Sequence, residues 1–145
     1  MSSEDQLNLF ASSEIVEPAA PPQLDLIPTD AKIPIPPGTY PSLVELAQHC
    51  NQCDRCGLGE TRHHAVVGRG NPQAPIMIIG EAPGQNEDET GLPFVGKAGQ
   101  LLDKILDSVK LDTDKDVYIC NINKCRPPGN RTPTTDEVEA CKPYL

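Results

Sequence analysis

The chain has 145 residues, 21 of them acidic against 12 basic, a formal net charge of −9, and only 3% aromatic side chains. That length allows one ordinary domain, and the charge argues against a nucleic-acid binder held by bulk electrostatics. No apolar run approaches the ~20 residues that span a bilayer, and Met1–Phe10 lacks the basic and apolar regions of a secretory signal, so a cytoplasmic location and no membrane contact are expected.

Residues 1–41 hold eight of the 16 prolines, six acids and the single base Lys32. A segment of that composition cannot bury enough apolar surface to offset its ordering entropy, which predicts a disordered Pro-rich tail. The tail carries a net charge of −5 and the remainder −4. Within the remainder Lys124, Arg126 and Arg131 stand without an intervening acid. They read either as local phosphate contacts or as a solvated basic loop.

The ordered domain is expected over residues 42–145. Ser42 can cap a helix through Leu43, Val44, Leu46 and Ala47 toward Cys50, with Glu45 at its third position. Asn51–Gly70 reads as loop. Ala74–Gly80 is a predicted strand whose apolar run Pro75–Ile79 suits a buried parallel sheet. A glycine-rich stretch follows, and then a helix over Lys97–Val109, with Leu101, Leu102, Ile105, Leu106 and Val109 on one apolar face. Asp114–Asp116 forms a polar turn before a second strand, Val117–Asn123. Pro127–Asn130 interrupts regular structure, and Thr134 or Thr135 caps a last helix starting near Asp136. Strand, helix, strand, helix predicts the α/β class built on a right-handed parallel unit. Two strands make a poor sheet, so the chain is expected to be the front part of a longer domain.

Six cysteines without a secretory signal point to metal or redox chemistry before disulfides. Cys53 and Cys56 form a C-x2-C pair in a loop, Cys125 lies just beyond the second strand, and Cys141 falls on the final helix. Two thiolates from the front and two from the back can meet at one centre. Tetrahedral zinc and a four-iron cluster both accept four cysteines, so spacing alone leaves the two open. Cys50 forms a competing C-x2-C pair with Cys53, and Cys120 is expected to point into the core.

The first strand runs straight into Gly80-Glu81-Ala82-Pro83-Gly84, followed by Glu87-Asp88, Pro93-Phe94-Val95-Gly96 and Ala98-Gly99. Written as GEAPGxxEDxxGxPFVGxAGxLL, the segment resembles the first active-site motif of the family 4, iron–sulfur uracil-DNA glycosylases. Lys124-Cys125-Arg126-Pro127-Pro128 and Cys141-Lys142-Pro143-Tyr144-Leu145 resemble two further motifs of that family, in the same order. The resemblance implies a three-layer α/β/α fold with a parallel central sheet, and a structural [4Fe–4S] cluster held by Cys53, Cys56, Cys125 and Cys141. It implies hydrolysis of the N-glycosidic bond of uracil in DNA, by a monomer whose partner is uracil-containing DNA.

An enzyme of that kind must extrude the nucleotide, stack its base and read its hydrogen-bonding edge. By resemblance Phe94 stacks on the base and Asn121 reads it, since a side-chain amide can accept from uracil N3–H and donate to O4 while cytosine presents the opposite pattern. Gly80, Glu81, Ala82 and Pro83 line the pocket with backbone, whose N–H groups can stabilise negative charge on the departing base. Glu81 and Glu87 are the carboxylates in range of an attacking water. Glu87 is favoured as a pocket wall excluding the thymine methyl, with Glu81 contributing backbone. The His-Pro motif of the family has no match, because His49, His63 and His64 all precede the first strand. The 145-residue chain alone is therefore expected to release little or no uracil.

Gln6-Leu7-Asn8-Leu9-Phe10 resembles the peptide with which bacterial proteins dock on the replicative sliding clamp, presenting two leucines and an aromatic to an apolar groove. The competing readings are a non-catalytic iron–sulfur or zinc module acting as a replication adaptor, and a related glycosylase of different base choice.

Overall fold

A computed structural model describes residues 39–145. The clamp-like peptide Gln6–Phe10 and most of the Pro-rich segment lie outside the described residues.

Ser42 opens α1 (Leu43–Gln52), its hydroxyl accepting from the Glu45 backbone N–H at 3.3 Å, as the sequence pattern predicts. The segment that follows is mostly loop, with one 3-10 turn at Gly57–Glu60 and a two-residue strand, β1 (Arg69–Gly70). The two predicted strands form as β2 (Ile76–Gly80) and β3 (Val117–Asn121). They pair in parallel from Ile76 opposite Val117 to Gly80 opposite Asn121. β1 pairs antiparallel on the other side of β3, giving a mixed sheet in the order β1-β3-β2 where an all-parallel one was expected. The crossover between β2 and β3 holds two helices. The expected one is α3 (Lys97–Ser108), and α2 (Gln85–Thr90) stands inside the stretch read as glycine-rich loop. Thr134 caps α4 (Thr135–Cys141) in a reciprocal box with Glu137, accepting from its N–H while the Glu137 carboxylate accepts from the Thr134 N–H.

β3 is the buried centre of the sheet, with Val117, Ile119 and Cys120 fully covered. Leu106 of α3 joins Val117 and Ile119 in one apolar cluster, flanked by Ile78, Phe94, Leu102 and Leu111. A second cluster, Leu46, Cys50, Ala65, Val67, Cys141 and Tyr144, binds α1 to the chain end.

Two expectations of burial are corrected. The apolar stripe of α3 divides: Leu106 is buried, while Leu101, Ile105 and Val109 are 53–61% exposed. The reason is geometric, since five apolar positions at three- and four-residue steps subtend a wider arc than one sheet face covers. β2 likewise is an edge strand among the described residues, and its Ile76, Met77 and Ile79 are 39–46% exposed. No helix of the described residues is long and apolar enough to cross a membrane.

Candidate functional site

Parallel strands deliver their carboxyl ends to one side of a sheet, and ligands bind there. The register places Gly80 and Asn121, the last residues of β2 and β3, opposite each other. The chains stay together one step further, with Ile122 N–H donating to Gly80 O at 2.9 Å and Asn123 N–H to Glu81 O at 3.0 Å. Above this pair opens a cleft of about 400 Å³ bordered by Ala82, Glu87, Phe94, Lys97, Asn121 and Asn130, among others.

Two side chains of different chemistry meet at Gly80. A methyl group placed on its Cα would lie 2.5 Å from the Phe94 ring and clash outright with Asn121 Oδ1. Asn121 is only 2% exposed, and its side chain makes no hydrogen bond among the described residues. The side chain borders the open cleft, where its donor and acceptor can meet a ligand. The site therefore combines an aromatic face with an amide donor and acceptor, the pairing needed to stack a flat heterocycle and read its edge.

Phe94 is held in a left-handed backbone conformation, φ 54°, which is uncommon for a bulky residue and is sustained only by surrounding contacts. Arg69 of β1 supplies several of them. Its guanidinium donates to Pro93 O at 2.8 Å and Phe94 O at 3.2 Å, and pairs with Asp103 of α3 at 2.6 Å. Glu87 supplies more. One carboxylate oxygen accepts from Val95 and Gly96 N–H, each at 2.9 Å, and the other from Gly84 N–H at 3.1 Å. Burial pushes the Glu87 carboxyl up, but the N–H groups of Gly96, Val95 and Gly84 outweigh it and hold it below the ordinary range. Glu87 thus stands on the pocket wall, as expected, with its charge engaged in closing two loops. Glu81 is exposed and does not line the cleft, although its carbonyl pairs with β3. Ala82 lines the cleft, Gly80 lies against its Phe94 and Asn121 walls, and Pro83 is buried outside the lining.

Asp88, one residue on, escaped the sequence reading. It is 1% exposed and accepts from His63 N–H at 2.8 Å and from His64 N–H at 3.4 Å, with the His63 ring nitrogen at 2.6 Å. Burial raises its carboxyl, and these partners together pull it below the usual carboxylate range. The acid fastens the loop before β1 to α2.

The expected basic cluster is taken apart by the structure. Lys124 is buried at 3% exposure, and Arg131 forms a two-pronged ion pair with Glu137 at 2.7 and 2.8 Å. Arg126 donates to Asn130 Oδ1 at 2.6 Å. Three neighbouring bases in sequence thus take three different partners: the Asn121 and Val67 carbonyls for Lys124, Asn130 for Arg126 and Glu137 for Arg131.

The cysteines form the second site. Cys50, Cys53, Cys56, Cys125 and Cys141 line one small, largely apolar cavity between α1, the Gly57–Glu60 turn and α4. Three donors reach its sulfurs: Tyr144 O–H to Cys53 at 3.2 Å, Lys124 N–H to Cys141 at 3.2 Å and the Arg62 guanidinium to Cys125 at 3.7 Å. Arg62 also donates to the carbonyls of Cys53 and of Asn51. Burial pushes the thiols of Cys125 and Cys141 up to about 11 and about 12, so ligation there must release protons. The donor set, soft sulfur with N–H and O–H groups aimed at it and no carboxylate in the lining, fits a thiolate-bound metal group. Among the described residues no three Cys, His, Asp or Glu side chains converge on a single-ion site. Cys120, fully buried on β3, stays outside the cavity as expected.

A family model for the uracil DNA glycosylase superfamily matches residues 67–145. A type-4 uracil-DNA glycosylase of Saccharolobus solfataricus is 50% identical over 100 residues, 69% of this chain and 46% of the relative. The type-4 enzyme of Pyrobaculum aerophilum is 52% identical over 103 residues, covering 71% and 52%. That of Thermotoga maritima is 46% identical over 108 residues, covering 74% and 56%. The chain spans about half the length of the curated relatives it matches.

Proposed function

The chain belongs to the uracil DNA glycosylase superfamily, and from that membership we propose that it carries the base-reading part of an enzyme that hydrolyses the N-glycosidic bond of uracil in DNA. The observation that carries the reading is the meeting of the Phe94 ring and the Asn121 amide at Gly80, on the carboxyl ends of two parallel strands. An extruded uracil stacks on Phe94 and presents N3–H to Asn121 Oδ1 and O4 to its N–H. Ala82 and Gly84 supply backbone at the sugar, and Glu87 holds the two glycine-rich loops in register. The water-activating group lies elsewhere in this reading, because both Glu87 oxygens already accept from backbone N–H groups and Glu81 faces solvent. Uracil release from single- and double-stranded oligonucleotides by the complete protein tests the proposal. Retained DNA binding without base release would replace the enzyme with an adaptor. The clamp-docking role of Gln6, Leu7, Leu9 and Phe10 belongs to the same proposal.

The cysteine cavity is proposed to hold a [4Fe–4S] cluster on Cys53, Cys56, Cys125 and Cys141. The support is that all four sulfurs line one cavity and that N–H or O–H donors reach three of them. Its chemistry when bound is structural, cross-linking the front loop to α4. Cys50, also in the lining, competes with Cys56 as the C-x2-C partner of Cys53. Anaerobic reconstitution separates them: Cys56→Ala is expected to lose most bound iron and the broad visible absorption, while Cys50→Ala keeps both. The reverse result would move the ligand to Cys50.

A further inference from the structure

Lys124 joins the two sites. Its side chain is 3% exposed, and no carboxylate pairs with it among the described residues. The ammonium donates to Asn121 O at 2.7 Å and Val67 O at 3.4 Å. Its backbone N–H meets Cys141 Sγ, and the residue lines the cysteine cavity beside Cys50, Cys53 and Cys125. A buried cation costs several kcal/mol unless a negative charge faces it, and a methionine of similar length would fill the same space without that cost. The negative groups within its surroundings are the cysteine sulfurs, once they are thiolates.

We infer that Lys124 is a positioning residue: its ammonium is the counter-charge of the thiolate site and at the same time holds the carbonyl of Asn121, so that occupancy of the cysteine cavity fixes the base-reading end of β3. The link is short. The same residue whose carbonyl receives the ammonium bears the amide that faces the cleft, and Ile122 N–H then ties this end of β3 to Gly80. Without a negative group in the cavity, the ammonium is held only by the carbonyls of Asn121 at 2.7 Å and Val67 at 3.4 Å, and its hold on Asn121 weakens. The inference rests on the proposed cysteine-ligated cluster and is independent of which base the cleft accepts.

The test uses the chain reconstituted with iron and sulfide, as wild type, Lys124→Met and Lys124→Gln. Both variants are expected to retain iron but to show a more negative reduction potential, because removing a nearby positive charge makes an added electron less favourable. Hydrogen exchange at residues 117–124 is expected to quicken about tenfold or more in both. Stripping iron from the wild-type chain with a chelator is expected to quicken the same amides and leave those of α3 unchanged. An unchanged potential at matched iron content overturns the counter-charge. Unchanged exchange at 117–124 after iron removal overturns the link to Asn121, and this arm decides the matter even where a variant fails to fold. A chain that takes up no iron overturns the inference together with the cluster, leaving the base-pocket reading standing.

Discussion

Gly99→Ala is expected to be the most damaging single-methyl change in the molecule. A Cβ at Gly99 would lie within bonding distance of the Phe94 carbonyl, with the Phe94 O, C and Cα all far inside contact range. These are backbone atoms, so no rotamer change relieves the clash, and either α3 or the 93–95 loop must move. The loop cannot move cheaply. Phe94 already sits at φ 54°, its carbonyl accepts from Arg69, and the next two N–H groups are bonded to Glu87. Overpacking of this kind costs about 3 kcal/mol. It also displaces the ring proposed to stack the base, and a misplacement of about 1 Å is enough for a hundredfold loss of rate. The expected result is a lower urea midpoint and, in the complete protein, a loss of uracil release on the order of a hundredfold. Gly57→Ala is the control, because a Cβ there meets nothing within 4 Å. A Gly99→Ala protein with the wild-type midpoint would show that the loop yields more easily than its hydrogen bonds indicate.

What the sequence could and could not reveal follows from how local each cause is. The Ser42 and Thr134 caps and the parallel strand pair are written in short patterns, and all appear where those patterns put them. α2 was missed because Gln85–Thr90 is polar throughout and has no apolar period to detect. β1 was missed because two residues, one of them glycine, carry no strand signal. The base pocket was legible only as a list of residues. Nothing local states that Phe94 takes a positive φ, that Arg69 reaches across 25 positions to its carbonyl, or that Asp88 gathers His63 and His64. Lys124 shows the limit most clearly. In sequence it belongs with Arg126 and Arg131, and in the fold it turns inward while Arg131 turns to Glu137. The direction of a long side chain after a strand is decided by what lies behind the strand, and that information is not local.

Asn121→Asp is expected to change which pyrimidine the cleft prefers. The amide offers one donor and one acceptor, which matches uracil O4 and N3–H together. A carboxylate offers acceptors only, so it faces O4 lone pair to lone pair while becoming a partner for the amino group of cytosine. The position magnifies the difference: Asn121 is 2% exposed and hydrogen-bonded through its side chain to nothing else among the described residues, so no competing contact buffers the change. Removing a matched buried donor from a developing negative charge costs on the order of 10²–10³ in rate, which sets the expected loss of uracil release by the complete protein. Cytosine release should fall less or rise, and the uracil-to-cytosine ratio of kcat/KM should therefore drop by at least about tenfold. Asn121→Leu separates reading from packing, since it removes both polar atoms at nearly constant volume and should lower both activities without favouring cytosine. A ratio unchanged in Asn121→Asp would mean that base choice is made elsewhere in the cleft, and that the buried amide at the end of β3 serves only the fold.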